Sequence, residues 1–381
     1  MSDSSLLLTL AELVNINSVN SSYDGGPGEA ELAAYVRMFF DHRGIETWEQ
    51  EVFPGRNNVI ARLPGRDSSR RIVLEAHMDT VSVKGMIIPP FEPRVADGRM
   101  YGRGSCDTKA GLATMMHALA SLKAEGITPP CEVWLAAVVD EEYSYRGVVK
   151  LCEGISAVAS IVAEPTELRA VIATKGVLRW RIVARGKAAH SSKPHLGVNA
   201  IHHMSRVVLA LEEMHARLAE DAPHALLGTA TGNVGVITGG TQVNFVPDQC
   251  AIEIDRRLLP GEKVEEVLAR YETLLVELRQ SHPGLDVFME APMLTDEALE
   301  TPESEGVVQV ASSVLSDLGL NASPCGVSFS CDASKLARAG VPTIVFGPGS
   351  IDRAHAAVEY VELDQVQLAL EFLKRFLKSF V

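Results

Sequence analysis

Positive charge is scarce in this chain. Lysine and arginine number 35 against 49 aspartates and glutamates, a formal net charge of −14. Binding to a phosphate backbone or an anionic lipid surface needs a basic stripe, so neither nucleic acid nor a membrane is expected as a partner. No run of about 20 apolar residues exists, so no membrane span is expected. Residues 1–10 include Asp3 but no Lys or Arg, and the apolar run Leu6-Leu7-Leu8 is interrupted by Thr9 and then Glu12, which is not the pattern of a secretory signal. Cysteine is sparse too. Cys106, Cys131, Cys152, Cys250, Cys325 and Cys331 form no CxxC pair and are too few for a disulfide scaffold. The expectation is a cytoplasmic enzyme-like chain with reduced thiols. Internal repeats, low-complexity segments and long linkers are also missing.

What is present is an ordinary globular balance. With 381 residues, 46% hydrophobic and 22% charged, the chain has room for two domains at about 100–200 residues each. Residues 4–18 and 29–44 carry helical stripes, the first with Leu7, Leu10, Ala11 and Val14 on one face. Apolar runs at 58–63, 71–76, 132–139 and 158–162 read as strands, with helices at 109–126 and 143–152. This alternation predicts an α/β domain, a mixed sheet flanked by helices. After Lys175-Gly176 the texture changes. Strands at 177–185, 232–237, 249–259 and 285–290 and helices at 199–218 and 263–280 follow the order of a ferredoxin-like α+β unit. A helix at 303–319, a strand at 342–346 and a helix at 361–380 then resume the first texture. The expected organisation is a catalytic domain of residues 1–176 and 292–381, interrupted by a smaller domain at 177–291.

Five places carry residues suited to chemistry. His77-Met78-Asp79 follows the run Ile72–Ala76, at a strand end where α/β sheets gather ligands. Alone, such a His reads more often as a hydrogen-bonded structural residue. Gly102-Arg103-Gly104-Ser105-Cys106-Asp107-Thr108-Lys109 is glycine-rich but lacks the P-loop ending and the dinucleotide spacing. Asp107 there is a helix N-cap or a metal ligand. Asp140-Glu141-Glu142 closes the run 133–139, and adjacent side chains there point different ways. Glu164-Pro165-Thr166 closes another run, and Ala354-His355 comes late, after Gly347-Pro348-Gly349. Together, His77, Asp107, Glu142, Glu164 and His355 offer two imidazoles and three carboxylates. One shared carboxylate could bridge two zinc ions, each also holding one His and one terminal carboxylate, with a position open for water. Glu141 is then left as a general base. Cys106 lies beside the set and is not needed in it. The implied chemistry is hydrolysis of an amide bond.

These motifs, in this order and almost end to end, resemble the co-catalytic zinc peptidases and deacylases, a family that includes acetylornithine deacetylase, succinyl-diaminopimelate desuccinylase, carboxypeptidase G and the aminoacylases. The resemblance implies that His77 and Glu164 hold one zinc, Glu142 and His355 the other, and that Asp107 bridges them with a cis peptide to Thr108. It implies that Asp79 orients His77 and that Glu141 moves the proton. Gly186-Lys187-Ala188-Ala189-His190-Ser191-Ser192 resembles the start of the family's lid or dimerisation domain, where His190 would stabilise an oxyanion, often from the partner subunit. The resemblance also puts Asn244 on a substrate-facing loop, Arg257 on a substrate carboxylate, and Gly347 and Gly349 close to the substrate backbone. The remaining histidines, His117 among them, are assigned no role.

The expected enzyme is a di-zinc amidohydrolase cutting an N-acyl amino acid, as acetylornithine deacetylase or succinyl-diaminopimelate desuccinylase does, acting as a homodimer. Cobalt or manganese could replace zinc at such N/O ligands. The rival enzyme is a carboxypeptidase or dipeptidase releasing a C-terminal residue such as glutamate from a short peptide. A non-catalytic metal-binding protein on the same fold is the third reading, and the retained Glu141 argues against it.

Overall fold

The computed structural model describes residues 3–381. The chain forms two compact units, one comprising the chain up to Ile172 with Glu300–Cys325 and Cys331–Val381, the other Ala173–Leu299 with Gly326–Ser330.

The first unit is built on a mixed sheet. Its path runs Glu46–Phe53, Arg56–Leu63, Cys131–Val138, Asp67–His77, Ala159–Val162, Thr343–Val345, and then Val171–Thr174, through which the chain leaves the unit. The middle four strands are mutually parallel, and their neighbours on either side are antiparallel. Parallel strands are covered on both faces and so read as unbroken apolar runs. Ile72, Val73 and Leu74 are fully buried, as are Val133, Leu135, Ala136, Ala137 and Val138. The edge strand Glu46–Phe53 alternates polar residues on partly exposed faces, leaving it without an apolar run. The helix Lys109–Ala124 is buried on nearly every side and packs on the helices Asp3–Asn15 and Leu363–Ser379. The latter turns Phe372 against Phe346, ring centroids 3.9 Å apart and stacked.

The second unit orders its strands Thr231–Gly239, Gln249–Leu258, Gly176–Arg185 and Asp286–Met289, all antiparallel. With the helices Ala200–Arg217 and Val264–Ser281 between them in sequence, this is the ferredoxin-like connection. Strand alternation puts Trp180, Ile182, Ile252 and Ile254 into its core with Met204, Leu211, Tyr271 and Leu275 from the helices. Asn199 caps the first of these helices by accepting from the His202 N–H at 3.1 Å. The six cysteines are free thiols. No helix among the described residues is long and apolar enough to cross a membrane.

Candidate metal centre

Because the middle strands are parallel, their C-terminal ends lie at one edge of the sheet. His77 ends one strand, Val138 ends the next two residues before Asp140, and Val162 ends the third two residues before Glu164. Asp107 arrives from a different direction. It precedes the helix Lys109–Ala124 and joins Thr108 through a cis peptide. Asp107 does not cap that helix. Thr108 occupies the cap position and donates its hydroxyl to the Ala163 carbonyl at 3.0 Å. His355 follows the turn Ile351–Arg353 with φ +58°.

These side chains converge. His77 Nε2 lies 3.0 Å from Asp107 Oδ1, and the other oxygen of that carboxylate is 3.3 Å from His355 Nε2. His355 Nε2 is also 3.1 Å from Glu142. Glu164 stands 4.0 Å from His77 Nε2. Glu141 belongs to the same group, since donor atoms of His77, Glu141 and Glu164 all fall within 4.8 Å of one another. Asp107, Glu141, Glu164 and His77 are buried, Glu142 is half-buried, and the His355 side chain is 52% exposed, so the cluster has a closed floor and one open side.

The electrostatics are those of an acid cluster needing positive charge. Burial, joined by the charges of Asp107 and Glu141, raises Glu164 well above the usual carboxylate range. Burial likewise raises Glu141, against the pull of His77. Burial also disfavours ionised Asp107, but hydrogen bonds to His355 and His77 outweigh it and hold its carboxyl well below that range. Hydrogen bonds to Asp107 and Glu142 overcome burial at His355 and push it up to about 11. Divalent cations would supply that positive charge at the same atoms. Mixed imidazole and carboxylate donors around one shared carboxylate suit zinc, cobalt or manganese. The residues present therefore fit a metal pair.

Behind the cluster, Asp79 is fully enclosed. Its Oδ1 accepts the Glu141 N–H and its Oδ2 the Glu142 N–H, both at 3.1 Å. On the other flank, Glu359 Oε1 accepts the backbone N–H groups of Cys106 at 3.0 Å and Asp107 at 3.2 Å, and the Glu359 carboxylate pairs with Arg103. No local pattern announces Glu359, because its role depends on partners more than 250 residues away in sequence.

Gly347 and Gly349 crowd the site from its rear. A Cβ on Gly347 would lie 2.6 Å from the Glu164 carbonyl oxygen, and one on Gly349 2.6 Å from Cys106 Sγ. Gly349 also has φ +91°, open mainly to glycine. Their N–H groups already donate, to Thr166 Oγ1 and Gln365 Oε1. The close approach that demands glycine here is to the protein's own loops.

His190, Asn244 and Arg257 belong to the second unit. His190 is exposed and pairs with Phe245 in a short antiparallel ribbon, and Ser191 N–H donates to the Asn244 carbonyl at 3.0 Å, so His190 and Asn244 are neighbours. The His190 ring contacts Ser192 Oγ at 2.8 Å through Nδ1. Arg257 donates to Asp255 at 2.8 Å and lines a pocket with Lys175, Thr231, Ser328 and Phe329. Lys175 carries no mark in the sequence that singles it out. Its ammonium donates to the Thr229 carbonyl at 2.6 Å, and burial, aided by Arg256 and Arg257, lowers its pKa.

A family model described as Peptidase family M20/M25/M40 matches residues 73–379. The chain is 32% identical to an acetylornithine deacetylase of Myxococcus xanthus, across 100% of this chain and 99% of that protein. It is 25% identical to a probable succinyl-diaminopimelate desuccinylase of Staphylococcus epidermidis, again across 100% and 99%. Among solved structures, the aminopeptidase PepT from Bacillus cereus superposes with a TM-score of 0.82 at 24% identity, covering 99% of this chain and 98% of that one, a likeness of fold.

Proposed function

The chain belongs to the peptidase family M20/M25/M40, a family of metal-dependent hydrolases, and from that membership we propose that it releases a free amine from an N-acyl amino acid. The observation that carries this reading is the single carboxylate of Asp107 set between the imidazoles of His77 and His355, with Glu141 beside them. His77 and Glu164 would hold one divalent cation and Glu142 and His355 the other, with Asp107 common to both. Such a pair, zinc in the first instance, polarises a carbonyl and acidifies a water.

The side chains supply the rest. Glu141 is close to the cluster without being required in either ligand set, and burial raises its pKa, so it can take a proton and hold it until the amine leaves. His190 Nε2 would donate to the developing oxyanion, and Asn244 beside it would contact the substrate. Arg257 would face the substrate's carboxylate, with Lys175 of the same pocket adding positive charge. The strand Thr231–Gly239 is an uncovered edge with Val236 and Ile237 exposed, which supports a homodimer formed through the second unit. Light scattering showing a monomer at micromolar concentration would count against that assembly.

The deacylase reading draws on relatives named for removing acetyl and succinyl groups. Its test is a screen of zinc-loaded protein against N-acetyl and N-succinyl amino acids beside dipeptides and acyl-glutamates. Release of free amine from the first group is expected. Turnover of dipeptides alone would replace the reading with a dipeptidase.

A further inference from the structure

A neutral amide lies behind the acids of the site. Asn20 is fully buried in the first unit, in the segment that follows the helix Asp3–Asn15. The backbone fixes it there. Asn20 N–H donates to the Thr80 carbonyl at 3.0 Å, and Thr80 N–H to the Ser18 carbonyl at 3.1 Å. Its side-chain Nδ2 reaches Asp79 Oδ2 at 2.7 Å and Asp140 Oδ1 at 3.0 Å, and its Oδ1 accepts the Ser22 N–H at 2.9 Å. Each polar group of the amide is therefore engaged.

The two carboxylates it joins are those that shape the turn into Glu141 and Glu142. Asp79 receives both of their backbone N–H groups. Asp140 carries the turn itself with φ +71°, a left-handed conformation that a non-glycine residue keeps only when its surroundings hold it. From the far side, Arg56 grips Glu29 through two bonds of 2.7 and 2.6 Å and reaches Asp140 Oδ1 at 3.2 Å, while Glu29 accepts the Asp140 N–H at 3.2 Å.

We propose that Asn20 is a positioning residue for the base and the second ligand set: its amide ties Asp79 to Asp140 and so fixes where Glu141 and Glu142 point. An amide suits this place because it offers two donors and no charge. A carboxylate there would add a third acid to two buried ones, and an apolar side chain would leave both carboxylate oxygens a donor short. The catalytic part of this inference rests on the hydrolase reading above.

The test uses Asn20→Ala and Asn20→Asp. Zinc titration of metal-free protein is one readout, and kcat and KM across pH on an N-acetyl amino acid that the wild type turns over are the other. The expected loss is about 10–100-fold in kcat for Asn20→Ala with KM within about twofold, and a similar weakening of one zinc equivalent while the other is kept. Asn20→Asp should regain part of its activity towards acid, where the introduced carboxyl is protonated and can donate to one of the two carboxylates, and Asn20→Ala should not. Zinc binding and kcat per folded molecule unchanged in Asn20→Ala would overturn the proposal. If that variant does not fold, Asn20→Asp near neutral pH must show the same split, and wild-type values there would overturn it equally. A wild type that hydrolyses no N-acyl amino acid would refute the functional reading, while the zinc titration would still decide the positioning role.

Discussion

His77 Nδ1 lies 2.9 Å from the main-chain oxygen of Asp79 and 3.7 Å from that residue's carboxylate. A carbonyl can only accept, so this contact puts the proton on Nδ1 and leaves Nε2 free to bind a cation. The ring is thus oriented by backbone. The Asp79 carboxylate serves the Glu141 and Glu142 amides.

Asp79→Asn should therefore keep the first zinc equivalent, bind the second more weakly, as expected of Asn20→Ala, and lose rate. The new NH₂ would face a backbone N–H, disturbing the turn that carries Glu141, and kcat should fall about 10–100-fold. Elemental analysis beside steady-state kinetics checks this. Loss of the first zinc equivalent would mean that the carboxylate, and not the carbonyl, orients His77.

Glu141→Gln is expected to bind two zinc equivalents as the wild type does. Its kcat should drop about 10²–10⁴-fold, the usual worth of a positioned proton carrier. Near-wild-type turnover with full metal would remove Glu141 from the proton path.

His355→Ala should retain one zinc equivalent and lose the other. His355 touches both Asp107 and Glu142, whereas His77 and Glu164 remain together without it. Two tightly held equivalents in the variant would contradict the ligand role of His355.

His117 is expected to contribute to acid sensitivity away from the site. Its Nε2 lies 2.9 Å from Thr9 Oγ1 inside the first unit, and burial, with Arg43, lowers its pKa to about 4. Unfolded, it would titrate near 6.5. Below about 6.5 the unfolded chain takes a proton that the folded chain refuses, so stability is full above that pH and lost progressively down to about 4. The slope is at most about 1.4 kcal/mol per pH unit. Urea midpoints of His117→Gln across this window should fall less steeply than those of the wild type. Parallel curves would show that His117 does not carry this dependence.

The parallel core and the chemistry at its edge are legible in the sequence because both leave local marks. An apolar run ending in His77, in Asp140-Glu141-Glu142 or in Glu164 shows strand and site in one stretch of sequence, and the resemblance built on those stretches is borne out by the matching family. The edge strand Glu46–Phe53 is not legible, because its polar side chains lie on half-exposed faces and obey no burial period. Asn20, Arg56 and Glu359 are not legible either. They are polar residues buried by distant partners, and an isolated Asn, Arg or Glu looks the same in sequence whether it meets water or a buried carboxylate.

The sheet edge that gathers the site's side chains also draws on both ends of the chain. His77, Asp107, Glu142 and Glu164 all precede the second unit in the chain, and His355 follows it. A nascent chain thus carries the residues of the proposed first cation set before the inserted unit has been synthesised, but not the strand Thr343–Val345 or the helix Leu363–Ser379 that complete their own unit. The second set must wait until translation has passed that unit and returned to the sheet. A closed first unit would therefore mark a chain whose synthesis has passed the insertion and reached its C-terminal helix.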